Sequence, residues 1–223
     1  MLSKHIILGL GAVGAAILLA GTANAEVVSL DSLAGTSATI TSNGLVYSNF
    51  TYGGSLPASD VLLTTTDSGV QFSTASGSGW TVAANSAVIR YDVTATSGTL
   101  NGVGLSFTAS ASGGAVAAVG ETVWDNATPK PNTYSLQVTA GTANDKSTDS
   151  VTLNPAAATI HVVKSLDIAA PTGVTSASIT LVDNTYVPSG GTNPPPPGVP
   201  EPMSLALLPL AIAGLGLRKK LAR

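Results

Sequence analysis

Between residues 26 and 187, hydrophobic and polar side chains alternate with a period of two almost everywhere, and a helical period near 3.6 is missing. Residues 87–94 show it best: Val88, Arg90, Asp92 and Thr94 fall on one side of a strand, Ile89, Tyr91 and Val93 on the other. The same beat runs through 37–42, 103–107, 134–138, 160–163 and 177–182, and residues 45–52 are rich in aromatic and β-branched side chains. Those side chains suit a pleated, half-buried surface. Gly, Ser, Asn and Pro clusters separate the segments, as turn residues do between strands, and the stretches 74–79 and 109–114 read as loops. No capped amphipathic helix of ten residues intervenes. Many short strands separated by turns predict an all-β domain, a single antiparallel β-sandwich of jelly-roll or Ig-like type. Thr and Ser on the outer faces solvate such sheets without charge, which fits a charged fraction of only 9%.

Both ends of the chain depart from this pattern. Lys4, the apolar residues 6–20 and the small-residue site Ala23-Asn24-Ala25 read as a secretory signal peptide over residues 1–25, a signal helix removed before Glu26 by signal peptidase. No Cys follows, so lipoprotein processing is excluded. At the other end, residues 203–217 form a 15-residue apolar run followed by Arg218-Lys219-Lys220. As a helix the run spans roughly 22 Å at ~1.5 Å per residue. That falls short of a hydrocarbon core of about 30 Å, and Pro209, Gly214 and Gly216 weaken the helix further. The basic cluster holds its end on the cytoplasmic side. Residues 188–198, with prolines at 194–197, predict a polyproline II spacer between domain and tail.

Val199-Pro200-Glu201-Pro202, the apolar run and the basic end, in that order over residues 199–223, closely resemble the PEP-CTERM sorting signal of Gram-negative bacteria. In that family an exosortase, an integral-membrane cysteine protease, recognises and removes the tail, and the family is associated with exopolysaccharide and biofilm. The logic parallels other signals whose hydrophobic tail is lost from the mature protein. The resemblance implies an inner-membrane precursor, then a place at the cell surface or in the extracellular matrix. Its implied partners are the exosortase, signal peptidase, the inner membrane transiently, and exopolysaccharide. No Leu-Pro-x-Thr-Gly motif precedes the tail, which argues against a sortase. The competing reading is a plain single-span anchor on a Pro-rich stalk. Short phrases in the exported region, residues 47–52, 86–94, 120–123, 160–168, and 177–179 followed by 183–186, are similar to a recurring β-rich ectodomain of PEP-CTERM proteins. That similarity implies a sandwich and no particular activity.

Without its ends the chain leaves residues 26–187, 162 residues and enough for one well-packed domain. They carry eleven acidic residues against four basic ones (Arg90, Lys130, Lys146, Lys164), a formal balance of −7. Such a surface repels nucleic-acid phosphate, so no nucleic-acid partner is expected. The absence of Cys excludes thiolate nucleophiles, Cys-zinc sites and disulfides. Packing and hydrogen bonds are therefore left to hold an exported domain together.

Candidate chemistry is sparse. A Ser-His-Asp triad needs an imidazole base, and the domain has one His, His161, among Ile160, Val162 and Val163. HExxH, Gly-x-Ser-x-Gly and phosphate-loop patterns are missing. Glu121 and Asp125, with Trp124 beside them, are the nearest approach to the paired carboxylates of glycoside hydrolysis; the plainer reading is an edge strand ending in a polar loop. Asn144, Asp145 and Asp149 are the nearest to a calcium-binding cluster, against a solvated hairpin turn. Asn49-Phe50-Thr51 and Asn126-Ala127-Thr128 match the N-glycosylation triplet. Trp80 and Trp124 are either sugar platforms or core anchors, and their burial separates the two. The chain is thus expected to be a non-enzymatic surface or matrix protein without a cofactor or metal, with a carbohydrate-binding module and an extracellular hydrolase as alternatives.

Overall fold

The two-residue alternation becomes alternate burial. In the computed structural model, which describes residues 25–127, 130–174 and 176–189, the core-facing and solvent-facing positions of each long strand separate as the pattern predicts. Along β7 (Ser86–Ala95), Ala87, Ile89, Tyr91 and Val93 are buried while Arg90 is exposed. Along β12 (Thr159–Ala169), Ile160, Val162, Leu166 and Ile168 point into the core.

Among the described residues, thirteen strands form two antiparallel sheets that pack face to face. The first sheet runs in the order β1 (Val27–Ser29), β4 (Val61–Thr65), β5 (Gly69–Thr74), β13 (Ala177–Ser189), β8 (Thr99–Ala111) and β11 (Thr148–Ala157), with β6 (Trp80–Thr81) also on β13. In the second sheet the order is β10 (Thr133–Ala140), β9 (Val116–Asp125), β12, β7, β3 (Leu45–Gly54) and β2 (Ile40–Ser42). Apart from two single-turn 3₁₀ helices, Leu30–Ser32 and Ala58–Asp60, the described residues contain no helix. The expected signal helix and hydrophobic tail helix lie outside the described residues, as do Ala23, Val199, Pro200, Glu201, Pro202, Arg218, Lys219 and Lys220.

Details differ from the sequence pattern in three places. β9 is an interior strand, paired with both β10 and β12, and not an edge. β8 continues to Ala111, through part of a stretch rich in Ser and Gly. β13 continues to Ser189, past residue 187, because Pro188 and Ser189 still pair with Leu100 and Thr99.

A fourth departure shapes the molecule. In β3 a strict alternation would carry Tyr47, Asn49 and Thr51 to one face. Asn49 instead takes φ 54°, and the β3–β7 register shifts between Ser48 and Thr51. Asn tolerates this left-handed backbone better than most residues, and a bulge of this kind reverses side-chain parity. Tyr47 and Phe50, three positions apart, are then both buried, and Asn49 is left on the outer face.

The core between the sheets is aromatic and, unusually, polar. Phe50 stacks on Tyr91 at 5.5 Å between ring centroids, Phe72 meets Tyr91 at 5.6 Å, and Tyr47 meets Tyr186 at 6.0 Å. Tyr91 and Tyr186, from opposite sheets, share a 2.6 Å hydroxyl–hydroxyl hydrogen bond.

Candidate functional site

Two polar clusters are built on β7, β9 and β12, one on each face of the second sheet. The outer one follows from register. His161 lies opposite Asp92 on β7 and opposite Trp124 on β9. Its Nδ1 lies 2.6 Å from Asp92 Oδ1 and its Nε2 lies 2.8 Å from Asn126 Oδ1. The Trp124 indole stacks on the imidazole with centroids 5.4 Å apart. Asn49, turned outward by the bulge, donates from Nδ2 to Asp92 Oδ2 at 2.7 Å. The result is a row of outer-face side chains across four strands, Asn49, Asp92, His161 and Trp124, that ends on the half-buried Trp124 stacked on the imidazole. An open groove of about 320 Å³ at the end of β9 is lined by Asp125, Asn126, Ala127, Pro155 and Thr159 among others.

The inner cluster lies between the sheets. Glu121 and Lys164 are cross-strand neighbours on β9 and β12, and Asn184 faces them from β13 of the other sheet. All three occupy the core phase of their strands and are almost fully buried, at 2%, 0% and 0% exposure. Lys164 Nζ donates to Glu121 Oε2. Asn184 Nδ2 donates to both carboxylate oxygens, at 3.0 Å to Oε1 and 2.9 Å to Oε2, and to the Gly104 carbonyl at 3.3 Å. Asn184 Oδ1 is buried without a partner. Burial pushes the Lys164 ammonium below its usual value of 10.5, against the opposing pull of Glu121 and Asp183. Burial likewise raises the Tyr91 and Tyr186 phenols, and the Glu121 charge adds to it.

The residues singled out in the sequence are thereby placed. Glu121 and Asp125 share the inner face of β9, but they do not face one open cleft. Glu121 is held by Lys164 and Asn184. Asp125 accepts from the Ala127 and Asn132 amides at 3.0 and 2.9 Å and from Asn132 Nδ2 at 2.8 Å. These hydrogen bonds, that of the Asn132 side chain foremost, hold its carboxyl below the ordinary value. Trp80 is fully buried and anchors the core, whereas Trp124 is half-exposed on the outer face.

Asn144 and Asp145 are exposed and Asp149 is half-buried. Asp145 caps its own turn by accepting from the Thr142 amide at 2.7 Å. Asp149 accepts from the Gln137 amide at 2.8 Å and pairs with Lys146 at 2.7 Å. Their oxygens serve backbone and lysine donors, and among the described residues no group of three or more His, Asp or Glu side chains converges as a metal site. Ala25, at the expected cleavage site, is exposed, and the Glu26 amide beyond it donates to Thr65 Oγ1 at 2.9 Å.

Lys164 and Asn184 are missing from the candidate residues that motifs suggest, yet strand phase marks both. Ile160-x-Val162-x-Lys164-x-Leu166-x-Ile168 places a lysine in the core phase of a strand. Val119-x-Glu121-x-Val123 and Val182-x-Asn184-x-Tyr186 do the same for an acid and an amide. Isolated buried charges are too costly to occur without partners, so each of these patterns implies the others.

No protein-family model and no curated protein matches the chain.

Proposed function

We propose that the chain is an exported, non-enzymatic cell-surface or extracellular-matrix protein, sorted by an exosortase through its C-terminal tail. The observation that carries this reading is the sequence of residues 199–223: Val199-Pro200-Glu201-Pro202, a 15-residue apolar run and Arg218-Lys219-Lys220. Residues 1–25 support it as an export signal, and the sandwich of residues 26–187, jelly-roll or Ig-like in type, is its displayed domain. The placement of the acids is in keeping with a structural role: Glu121 is enclosed in the core and Asp125 is committed to its own loop. The partners in this reading are signal peptidase, the exosortase, the inner membrane in passing, and exopolysaccharide.

The test is intact mass, by cell fraction, in a host bearing an exosortase and in the same host lacking it. Loss of the tail near residue 200 only where the enzyme is present, with the domain outside the inner membrane, supports the reading. A tail retained in both hosts turns residues 203–217 into a plain anchor.

One observation favours a second reading, a carbohydrate-binding module. Trp124 stands half-buried on the outer face, stacked on His161, whose ring nitrogens meet Asp92 and Asn126. A flat aromatic face with amide and carboxylate groups around it can stack on a sugar ring and bond its hydroxyls. Affinity electrophoresis in gels containing the host's exopolysaccharide tests it. Retardation of the wild type that disappears in Trp124→Ala supports binding, and equal mobility of both in polymer-free and polymer-loaded gels removes it.

A further inference from the structure

The inner cluster brings together the parts of an amide-forming reaction. Lys164 Nζ and Asn184 Nδ2 are both hydrogen-bonded to one atom, Glu121 Oε2. The two nitrogens are therefore no farther apart than two hydrogen bonds laid end to end. Asn184 Cγ, one covalent bond from Nδ2, lies within the same small volume. Gly69, on a strand flanking Asn184, leaves its backbone tightly enclosed: a Cβ there would collide with the Asn184 carbonyl. A buried ion pair gains little over an apolar pair of equal volume, and this one leaves Asn184 Oδ1 unpartnered.

We infer that Lys164 and Asn184 become joined by an intramolecular isopeptide bond, Nζ to Cγ, formed inside the folded domain with Glu121 carrying the protons. Glu121 first takes a proton from the Lys164 ammonium. The resulting amine attacks Asn184 Cγ, the Nζ–Cγ bond forms, and the carbonyl electron pair moves onto Oδ1. Glu121 gives its proton to Nδ2, the Cγ–Nδ2 bond breaks with its electron pair going to the nitrogen, and ammonia leaves. The carbonyl reforms as Nζ returns its second proton to Glu121. Five protons on Lys164 and Asn184 at the start become three on ammonia, one on the new amide and one on Glu121. No oxidant, metal or cofactor is consumed.

Three features favour the step. Burial weakens the hold of Nζ on its proton. The reactants are fixed by the two sheets before they react, which converts a bimolecular encounter into a unimolecular one. The reaction also replaces a buried ion pair by a neutral amide and a neutral acid, and hydrolysis would need water in a sealed core. The bond ties β13 to β12, across the sandwich. β13 is the central strand of the first sheet and the last strand of the domain, so tension on the tail reaches the sandwich through it. In a domain without cysteine, this is a covalent staple that export does not require to be oxidised.

The experiment is mass spectrometry of the full chain purified in folded form. The wild type should be lighter than its sequence by one ammonia, about 17 Da. Trypsin should fail to cut after Lys164, and a protease cutting before Asp167 and Asp183 should leave the two flanking peptides joined through Lys164 and Asn184. Glu121→Gln, which keeps the shape, should show the full mass; Lys164→Met provides a second uncross-linked form should that variant not fold. A folded wild type of full mass, cut normally after Lys164, overturns the inference. So does an ammonia loss that maps to Asn43-Gly44 or Asn101-Gly102, where a succinimide forms by backbone attack. A Glu121→Gln protein carrying the same cross-link overturns the role of Glu121. Tail processing changes the mass by a whole peptide, so failure of the sorting reading leaves this result untouched.

Discussion

His161 and Lys164 stand three positions apart on β12, on opposite faces of it, and the polar clusters around them live under different physics. Both pair with a carboxylate across a strand boundary: His161 with Asp92, Lys164 with Glu121. The outer pair keeps water at its edge, and every member has a partner without cost to the fold. The inner pair has lost water altogether, and its environment includes an amide oxygen with no partner. In a low dielectric, unmet polar groups weigh more and charges interact more strongly. The same residue types thus form an adaptable surface on one face and a constrained, reactive arrangement on the other.

The largest expected effect breaks the inner side. Glu121→Ala leaves Lys164 buried without a counter-charge and removes the carboxylate acceptor of Asn184 Nδ2, which should cost about 3–5 kcal/mol of folding stability. Urea unfolding followed by tryptophan fluorescence measures it, since Trp80 is a fully buried reporter. A loss under about 1 kcal/mol would mean that the core admits water there and behaves as the outer face does.

Alkali extends the same contrast. Tyr47, Tyr91 and Tyr186 are buried, and burial raises all three phenols above their usual value of 10.0. Above that value the unfolded chain releases these protons while the folded chain keeps them. The folded state then binds more protons, and stability falls as pH rises. Each tyrosine that withholds ionisation should remove about 1.4 kcal/mol per pH unit above 10. Unfolding curves at a series of alkaline pH values check this, and a stability flat through that range would mean the phenols are reached by water. Next in size, Gly69→Ala should cost roughly 1–3 kcal/mol by forcing β5 away from the Asn184 carbonyl. It should also slow the cross-link, read as a larger fraction of full-mass protein.

The fold class was open to reading because burial on one face of each strand enforces alternation, and β7 and β12 obey it residue by residue. The short strands β1, β4 and β6 escaped because so few residues carry no period. The Asn49 bulge escaped because a parity reversal in sequence looks like noise: Tyr47 and Phe50 both turn inward only once Asn49 has taken positive φ. The sequence offers Glu121 and Asp125 as a pair by type, yet the partners that decide the role of Glu121, Lys164 and Asn184, lie 43 and 63 residues away from it. Distance along the chain hides such a cluster, while strand phase reveals it: a lysine among Ile160, Val162, Leu166 and Ile168 marks a buried cation. The proposed sorting motif is different in kind, since residues 199–223 are local and linear and need no fold to be read.

The smallest effect sharpens the outer side. Asp92 and His161 are partly exposed, and solvent screens their attraction, so a double-mutant cycle of Asp92→Ala and His161→Ala should give a coupling of roughly 0.2–1 kcal/mol. Asp92→Ala removes the partner of Asn49 and His161→Ala removes the ring that Trp124 stacks on, but both sites are partly exposed, so neither single variant should unfold the domain. Coupling of about 3 kcal/mol or more would show that water is excluded from this face as well. The two faces of the sheet would then differ only in which ligand reaches them, and Trp124 would be part of a closed structural cluster, unavailable to a sugar ring. A small coupling leaves the indole resting on a loosely held polar frame, free to exchange His161 contacts for those of a bound saccharide.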